Sequence, residues 1–361
     1  TLRIQKIALD FNMILKDASA YNIQFYNGRP VLIDTLSFEK YIEGRPWPAY
    51  RQFCQHFLAP LALMAYKDVR LGQLSRLFLD GIPLDLVSAI LPLKTYLKFS
   101  LFAHLYLHAK SQKHFADKLP QKTDHKMNKK SLIALIDNLT STVETIKWRP
   151  RKTNWSQYYS DTNYSRKALK FKKEIVLKLL DKVKPKTLWD FGANTGLFSR
   201  LATEQGIKTV AFDNDYAAIE INYASCIKNK EINILPLFLD LTNPSSAIGW
   251  SHEERMSLMK RGPVDAVMAL ALIHHLAIAN NLPFKKITEF FSKIGRFLII
   301  EFVPKTDSNT QKLLAAREDI FTDYTKEKFE KCFQKYFNIL KIEKIKSSVR
   351  YLYLMQNKNN L

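Results

Sequence analysis

The sequence predicts an α/β protein whose second half is a parallel sheet with helices on both faces. Between residues 165 and 303, short apolar segments alternate with longer segments of helical periodicity, and this alternation is typical of parallel sheets covered by helices. The chain then closes with "NILKIEKIKSSVRYLYLMQ", which indicates two strands joined by a short polar turn. A closing hairpin makes the last strand antiparallel to the others.

The length of the chain and a polar stretch near its middle predict two domains. The chain has 361 residues, of which 47% are hydrophobic, enough for two cores on the usual size of a domain. The polar, lysine-rich stretch 116–130 looks like a loop or linker, and a short helix is expected at 131–146. We place an accessory, substrate-side domain at 1–150 and a second domain at 151–361.

The two domains differ in their predicted elements. In the first, "NIQFYNGRPVLID" indicates a hairpin that turns at Asn27 and Gly28, and the chain is mainly helical beyond residue 45. Strands expected in the second are "TLWDFG", "KTVAFDND", "INILPLFLD", the start of "VDAVMALALIHHL", "RFLIIEFV" and the terminal pair. Helices expected there are "SRKALKFKKEIVLKLLDKVKPK", "GLFSRLATEQG" closed by Gly206, "YAAIEINYASCIKN" and "KKITEFFSKIG".

The formal net charge of +21 favours anionic partners such as nucleic acid or acidic lipid. Its lysines, however, are spread through nearly every segment, which is typical of a solvated surface, so a dedicated nucleic-acid patch is the less favoured interpretation. The longest apolar region, 84–110, is broken by Pro92, Lys94 and Lys98 and falls short of a membrane span. We expect buried or amphipathic helices there and no transmembrane segment, with a membrane-surface helix as the alternative.

Cysteine usage points to a reducing compartment. Cys54, Cys226 and Cys332 lie far apart, so neither a zinc site nor a disulfide framework is expected. The first residues, "TLRIQKIALDFNMILKD", lack the apolar core and cleavage site of a signal peptide. A cytoplasmic protein is therefore expected, and since the chain does not start with Met, a fragment or a processed product.

The stretch "LWDFGANTGLFSR", residues 188–200, predicts a buried strand, a glycine turn and a helix, an arrangement that often holds a nucleotide-type ligand. It departs from the dinucleotide fingerprint G-x-G-x-x-G because Asn194 and Leu197 replace the second and third glycines. No Walker-type phosphate loop occurs in the sequence. The turn therefore matches neither the dinucleotide-binding motif nor the triphosphate-binding motif.

Acidic residues end three successive predicted strands: Asp190, Asp213 and Asp240. Ionised carboxylates accept hydrogen bonds from an ammonium group and from a ribose diol. The third acid can accept from an exocyclic amine such as that of adenine. An amino acid, a ribose and an adenine together describe S-adenosylmethionine.

Residues 155–358 resemble the class I S-adenosylmethionine-dependent methyltransferases. The resemblance depends on "DFGANTG", "AFDND", "LFLDLT", "AVMALALIHHL", "FLIIEFV" and the terminal strand pair, all in family order. The family's first motif has glycine where this chain has Asn194, a residue that tolerates a left-handed backbone better than most. The resemblance implies a Rossmann-like seven-stranded sheet with an antiparallel last strand, and S-adenosylmethionine as cofactor.

The resemblance also implies cofactor-binding positions. Asp190 orients the turn or meets the amino group through water, and the turn backbone faces the methionine portion. Asp213, with Asn214 beside it, binds the ribose, Asp240 with Leu241 frames the adenine, and Ala269 begins a segment that lines the methyl-donor side. The full implied set is Asp190, Gly192, Ala193, Asn194, Gly196, Asp213, Asn214, Asp240, Leu241 and Ala269.

The turn "LIHHLA" after the fourth strand of the second domain supplies candidate general bases. His274 and His275 have the side chain best matched to proton removal near neutral pH, and a similar His-His-Leu turn occurs in methyltransferases that act on small molecules. Alternatively, one imidazole caps a helix and the other packs beneath the sheet. The base-methylating tetrad and the Pro-Cys pair of nucleic-acid enzymes are absent at this position, where the sequence reads "LALI".

Two further features lie outside these motifs. Tyr158, Tyr159 and Tyr164 precede the first strand of the second domain and could cover the donor, although ordinary packing is equally consistent. In the first domain, the spacing of Asp17, Asn22 and Asp34 is similar to that of the catalytic Asp and the metal-binding Asn and Asp of protein-kinase-like enzymes. The glycine-rich loop and lysine strand of kinases are absent, so a plain hairpin with turn-forming acids is the simpler interpretation.

The sequence as a whole predicts an S-adenosylmethionine-dependent methyltransferase that acts on a small-molecule or glycan-type acceptor, with no metal site. One alternative is an rRNA or tRNA methyltransferase steered by the positive surface. Another is a non-catalytic scaffold that binds S-adenosylmethionine without turnover.

Overall fold

The chain divides into two compact units, Thr1–Arg149 and Pro150–Leu361. A computed structural model describes residues 1–110, 127–150, 165–315 and 317–359. The aromatic residues Tyr158, Tyr159 and Tyr164 and most of the expected linker 116–130 lie outside the described residues.

The first unit begins with helix α1 (Leu2–Asp10) and four short strands: β1 (Met13–Leu15), β2 (Ile23–Tyr26), β3 (Arg29–Leu32) and β4 (Phe38–Lys40). Strands β2 and β3 form the predicted hairpin, in which Asn27 and Gly28 both have positive φ, 48° and 68°, as a two-residue hairpin turn requires. Strand β1 pairs antiparallel with β4, a pairing that the sequence did not predict.

Beyond residue 45 the described residues of the first unit are mainly helical, as expected. Its α-helices are α2 (Tyr50–Phe53), α3 (Ala59–Tyr66), α4 (Leu74–Leu77), α5 (Leu84–Ile90), α6 (Phe99–Leu101) and α7 (Lys129–Thr145). Segments of π-helix, Cys54–Leu58 and Phe102–Leu107, join α2 to α3 and extend α6. The apolar region 84–110 is thus a set of short helices, and no helix among the described residues is long and apolar enough to cross a bilayer.

The second unit contains a seven-stranded sheet. Its strands are β5 (Thr187–Phe191), β6 (Lys208–Asp213), β7 (Ile234–Phe238), β8 (Val264–Ala269), β9 (Gly295–Phe302), β10 (Phe337–Lys344) and β11 (Tyr351–Asn357). They lie in the order β10-β11-β9-β8-β5-β6-β7. Strand β11 is antiparallel to both of its neighbours, and the pairs from β7 to β9 are parallel. The predicted sheet with an antiparallel last strand is confirmed.

Side chains alternate between two apolar cores, one on each face of this sheet, because successive residues of a strand point to opposite sides. On β5, Leu188 belongs to one core and Trp189 to the other, and on β9, Ile299 and Ile300 divide in the same way. Both faces of the central strands are therefore buried, which explains why their sequences are almost continuously apolar.

Helices cover both cores: α8 (Arg166–Val183), α9 (Leu197–Glu204), α10 (Tyr216–Asn229), α11 (Leu258–Arg261), α12 (Phe284–Ile294), α13 (Ser308–Ala315) and α14 (Lys326–Gln334). The first turns of α8, α10 and α14 are capped by the side chains of Ser165, Asp215 and Thr325, which satisfy backbone N–H groups that lack a partner within the helix. Gly206 has a φ of 79° just beyond the end of α9, as its predicted role requires.

Candidate functional site

A cleft opens at the carboxyl ends of β5, β6 and β8. From β5 the chain adds β6 and β7 on one side and later returns to place β8 and β9 on the other. Loops that leave neighbouring strands in opposite directions separate at such a switch point, which is where open α/β sheets bind their ligands. Of the predicted site residues, the structure places Asp190, Gly192, Ala193, Asn194, Asp213, Asn214, Asp240, Leu241, His274 and His275 in the lining of this cleft.

The glycine turn that follows β5 is fixed to the end of β6. The amides of Gly192 and Ala193 donate to the carbonyl of Phe212 at 2.9 and 3.0 Å, and the Asn194 amide donates to Oδ2 of Asp213 at 2.7 Å. Gly192 and Asn194 have φ values of 76° and 53°, so Asn194 adopts the left-handed backbone, which asparagine tolerates better than most residues.

Gly196 has a different role from the one implied by the resemblance. It also has a positive φ, 81°, but it is not among the residues that line the cleft. A Cβ atom at this position would collide with the side chains of Asn222 and Arg200. A glycine is thus needed here to let the turn pack closely against α9 and α10.

Asp190 is buried beneath the turn. Its Oδ2 accepts a hydrogen bond from the Ser199 hydroxyl at 2.6 Å. Burial raises the pKa of Asp190 to about 7, an effect that the Ser199 hydrogen bond opposes and the nearby Asp213 carboxylate reinforces. This carboxyl group therefore titrates near neutral pH, where an approaching cation favours its ionised form.

Asp213 ends β6 and Asp240 lies two residues beyond the end of β7, and the two acids have different surroundings. Burial raises the pKa of Asp213, while backbone amides that include those of Asn194 and Asp215 donate to it and lower the pKa. Asp240 instead accepts from the backbone amide and the hydroxyl of Thr242, at 2.9 and 2.6 Å. This contact is that of a turn-forming acid, and Asp240 lines the cleft as well.

The turn after β8 brings the two histidines to the cleft. Ala269 itself is buried in the sheet, and the residues that follow it, Leu270 and Ala271, form the lining instead. The rings of His274 and His275 are 4.1 Å apart. Burial lowers the pKa of His275 to about 4 and holds the pKa of His274 well below its ordinary value, so both imidazoles are neutral near pH 7.

His274 is 1% exposed, and within the described residues its Nδ1 has no hydrogen-bond partner. A buried ring nitrogen without a partner is costly, and a ligand in the cleft that His274 lines can supply one. This observation favours a contact with the ligand over the alternative in which the ring only packs beneath the sheet.

A chain of alternating buried charges lies behind the cleft. Glu301, at the end of β9, contacts Nζ of Lys172 at 2.6 Å and Nη1 of Arg350 at 3.4 Å. Arg350 also donates two hydrogen bonds to Asp307, at 2.7 and 2.9 Å. All four side chains are at most 6% exposed, so each charge depends on its neighbours for compensation.

Glu301 also holds the histidine turn. Its Oε2 accepts from the backbone amide of Ala271 at 2.9 Å, and Ala271 has a φ of 50°, a conformation that alanine rarely adopts. The Glu301 carboxylate thus links α8, the residue before β11 and the turn that leads to His274. It is not part of the cleft lining, and it acts on the histidines only by holding this turn.

Sequence reasoning missed this chain of charges. The many lysines of α8 predict a solvated surface, but Lys172 shares a face with the buried Ala168 and Val176 at a spacing of four residues. An acidic residue within the otherwise apolar "FLIIEFV" was the second available signal. Asn280 and Asn309, which also line the cleft, carried no distinctive pattern.

In the first unit, the structure brings Asn22 and Asp34 together through Ser37, whose hydroxyl accepts from Asn22 at 3.0 Å and donates to Asp34 at 2.7 Å. Asp17 accepts from the Ser19 amide, and Asp34 from the Leu36 amide, both contacts of turn-forming acids. The kinase-like spacing therefore stays a prediction.

Comparison with known proteins identifies a relative along almost the whole chain. The chain is 34% identical, over 361 residues, to nodulation protein NoeA of Rhizobium meliloti (strain 1021), an alignment that covers 98% of this chain and 76% of NoeA. The chain belongs to the NoeA family. No general model of a protein family matches this NoeA-family chain.

Solved structures give more distant matches to this NoeA-family protein. The bifunctional kinase-methyltransferase WbdD is 14% identical with a TM-score of 0.37, over 56% of this chain and 42% of WbdD. Magnesium protoporphyrin IX methyltransferase (ChlM) from Synechocystis PCC 6803, solved with bound SAH, is 15% identical with a TM-score of 0.40, over 56% of this chain and 93% of ChlM. The second unit's own strand order and antiparallel β11 are those of the class I methyltransferase fold.

Removal of Arg350 tests the buried charges. In Arg350→Met the carboxylates of Glu301 and Asp307 lose their shared cation, and we expect unfolding by urea to show a loss of roughly 3–5 kcal/mol. Arg350→Met combined with Asp307→Asn should lose less, because one uncompensated charge is gone. The control is Arg296→Met, at an exposed arginine, which should change stability by at most about 0.5 kcal/mol; an equal effect of the two single variants would contradict the assignment.

Proposed function

We propose that the second unit binds S-adenosylmethionine in the cleft and transfers its methyl group to a small-molecule or glycan-type acceptor. The observation that carries this proposal is the position of Asp213. It ends β6, and its Oδ2 is held against the glycine turn by the Asn194 amide. A carboxylate has acceptor capacity beyond the backbone hydrogen bonds it receives from residues that include Asn194 and Asp215, and a ribose diol can use that capacity.

The residues of the cleft fit the parts of this cofactor. Gly192 lines the cleft with a φ of 76°, a backbone conformation that favours glycine, and its lack of a side chain leaves the cleft open beside Leu272. In the proposal, Gly192, Ala193 and Asn194 face the methionine portion and Asp190 compensates its ammonium group. The ribose lies at Asp213 with Asn214, and the adenine lies at Asp240 with Leu241.

S-adenosylmethionine supplies a methyl group already activated on a sulfonium, so the protein's task is mainly to align donor and acceptor. His274 and His275 line the cleft and are neutral near pH 7, so in the proposal each can take a proton from an acceptor hydroxyl or amine, although the lowered pKa makes each a weaker base than a free imidazole. The free Nδ1 of His274 makes it the preferred base of the two.

The charge around the cleft favours a small or glycan acceptor over RNA. A nucleic-acid enzyme would place lysines and arginines beside the donor site to contact phosphates. Lys172 is the one such side chain in the lining, as far as the chain is described, and it is 3% exposed and paired with Glu301. Among the described residues, the lining of the cleft therefore contributes no exposed positive charge.

Asp213→Asn tests the ribose assignment. The change keeps the shape of the side chain and removes its charge, and we expect the affinity for S-adenosylhomocysteine to fall by about tenfold or more, as measured by calorimetry. Asp265→Asn is the matched control: this acid sits at the opposite edge of the sheet, where it accepts from the Lys186 and Thr187 amides. Unchanged binding by folded Asp213→Asn would refute the assignment.

The raised pKa of Asp190 predicts how pH acts on binding and stability. The ionised form attracts a cationic ligand, so the affinity for S-adenosylmethionine should rise between about pH 6 and about pH 8 and then level off. For the free protein the sign is opposite: the protonated carboxyl favours the folded state, and this contribution is lost as the pH rises through about 7. Titration calorimetry and urea unfolding across this range measure the two effects.

Asp190→Asn is the control for both pH effects. It keeps an oxygen that can accept from the Ser199 hydroxyl but has no proton to lose in this range. Both pH dependences should be reduced in this variant, and if they persist at full size another group is responsible.

Labelled methyl transfer identifies the acceptor class. The protein is incubated with methyl-labelled S-adenosylmethionine and separate extract fractions of RNA, protein, glycans and small metabolites. We expect label in the glycan or small-metabolite fraction; label confined to RNA would establish the nucleic-acid alternative, and donor binding with no label in any fraction would support a scaffold.

His274→Asn should lower the labelling rate by about 100-fold while donor affinity is retained, because the change removes the proposed base but not the donor site. His252→Asn, at an exposed histidine of the same unit, is the control and should leave the rate unchanged. Equal rates in the two variants would show that the reaction needs no base at position 274.

A further inference from the structure

The first unit carries an exposed apolar ridge at residues 93–99, formed by the 3-10 helix Leu93–Leu97 and the two residues after it. Leu93, Leu97 and Phe99 are 81%, 90% and 79% exposed. Isolated apolar residues are normal on a protein surface, but several large ones within seven residues form a patch of the kind that marks an interaction site.

The ridge is held firmly on the unit beneath it. Thr95 is fully buried, and its hydroxyl lies 2.6 Å from the Tyr106 hydroxyl and donates to the Pro92 carbonyl at 2.6 Å. The Tyr96 ring packs on the Tyr106 ring with 3.8 Å between centroids. Thr95 and Tyr96 thus anchor the ridge to the unit, while Leu93, Leu97 and Phe99 remain exposed.

The charges of the ridge are all positive. Lys94 and Lys98 are both exposed and alternate with the apolar side chains, and residues 86–110 contain no aspartate or glutamate. The Nζ atom of Lys98 lies 5.3 Å from the centre of the Tyr66 ring, so its stem lies along the unit's surface. Within this stretch of sequence, the cations that an anionic surface would meet are not interrupted by an acidic residue.

Two kinds of partner could cover such a ridge, and its composition distinguishes them. The buried centre of a protein–protein interface is depleted in lysine. A segment that lies in the headgroup region of a bilayer combines leucine and phenylalanine with lysine, since the apolar side chains enter the acyl boundary and the ammonium groups stay among the phosphates. The alternation of Leu93, Lys94, Leu97, Lys98 and Phe99 has the second composition.

We propose that the ridge at residues 93–99 docks the protein on the surface of an anionic membrane, with Leu93, Leu97 and Phe99 inserted and Lys94 and Lys98 at the phosphates. The attachment is peripheral and reversible, because the apolar contribution is limited to a few side chains. It is independent of the methyl-transfer proposal, which concerns the second unit.

The test is co-sedimentation of the full chain with vesicles of phosphatidylcholine alone and of phosphatidylcholine mixed with phosphatidylglycerol. We expect binding to the mixed vesicles that weakens with added salt, and weak binding to phosphatidylcholine. The double variant Leu97→Gln/Phe99→Gln should bind the mixed vesicles at least about tenfold less well. Its control is Trp250→Gln, which alters an 84% exposed aromatic side chain of the second unit and should bind like the unchanged chain.

A second pair of variants tests the charges. Lys94→Gln/Lys98→Gln should reduce the preference for phosphatidylglycerol, whereas Lys285→Gln/Lys286→Gln, at two exposed lysines of the second unit, should not. The proposal is overturned if the unchanged chain stays in the supernatant with both vesicles, or if the Leu97/Phe99 variant sediments as the unchanged chain does. It is also overturned if analytical ultracentrifugation shows that the ridge instead pairs two copies of the chain, with dimers lost in that variant and no vesicle binding.

Discussion

The second unit depends on the buried carboxylate of Glu301. It compensates Lys172 from helix α8 and Arg350 from the start of β11, and it accepts the amide of Ala271 in the histidine turn. A buried carboxylate with two cations and a backbone donor is well satisfied, whereas each partner alone would be a costly buried charge or an unpaired N–H group. The conformation of the cleft is therefore coupled to the integrity of the sheet behind it.

Three acids at one edge of the sheet show how position changes the chemistry of the same side chain. Asp190 is enclosed, and burial raises its pKa to about 7. Asp213 is spanned by backbone amides that stabilise its charge. Asp240 forms a local turn with Thr242. The three acids thus offer three different kinds of acceptor along one edge of the sheet.

The sequence predicted the second unit well because its information is local. Each strand is an apolar run, and the turn at Gly192 and the acid Asp213 follow from strand ends, so the cleft's edge could be located even though the roles of its residues stay predictions. The ion pairs of Lys172 and Arg350 with Glu301 join residues more than a hundred positions or several elements apart, and no periodicity reports such a pairing. The β1–β4 pairing was not predicted for a second reason: strands of three residues leave almost no pattern in the sequence.

The antiparallel direction of β11 has a consequence for how the protein is made. Because β11 runs against β9, its first residues lie beside the last residues of β9: Leu352 pairs with Glu301 and Tyr351 with Phe302. Arg350, the residue just before β11, therefore lies at the same end of the sheet as Glu301. A parallel β11 would place it at the opposite end. Arg350 is also the last of the four charged residues to be synthesised, so this buried cluster has two acids and one cation until β11 adds the arginine.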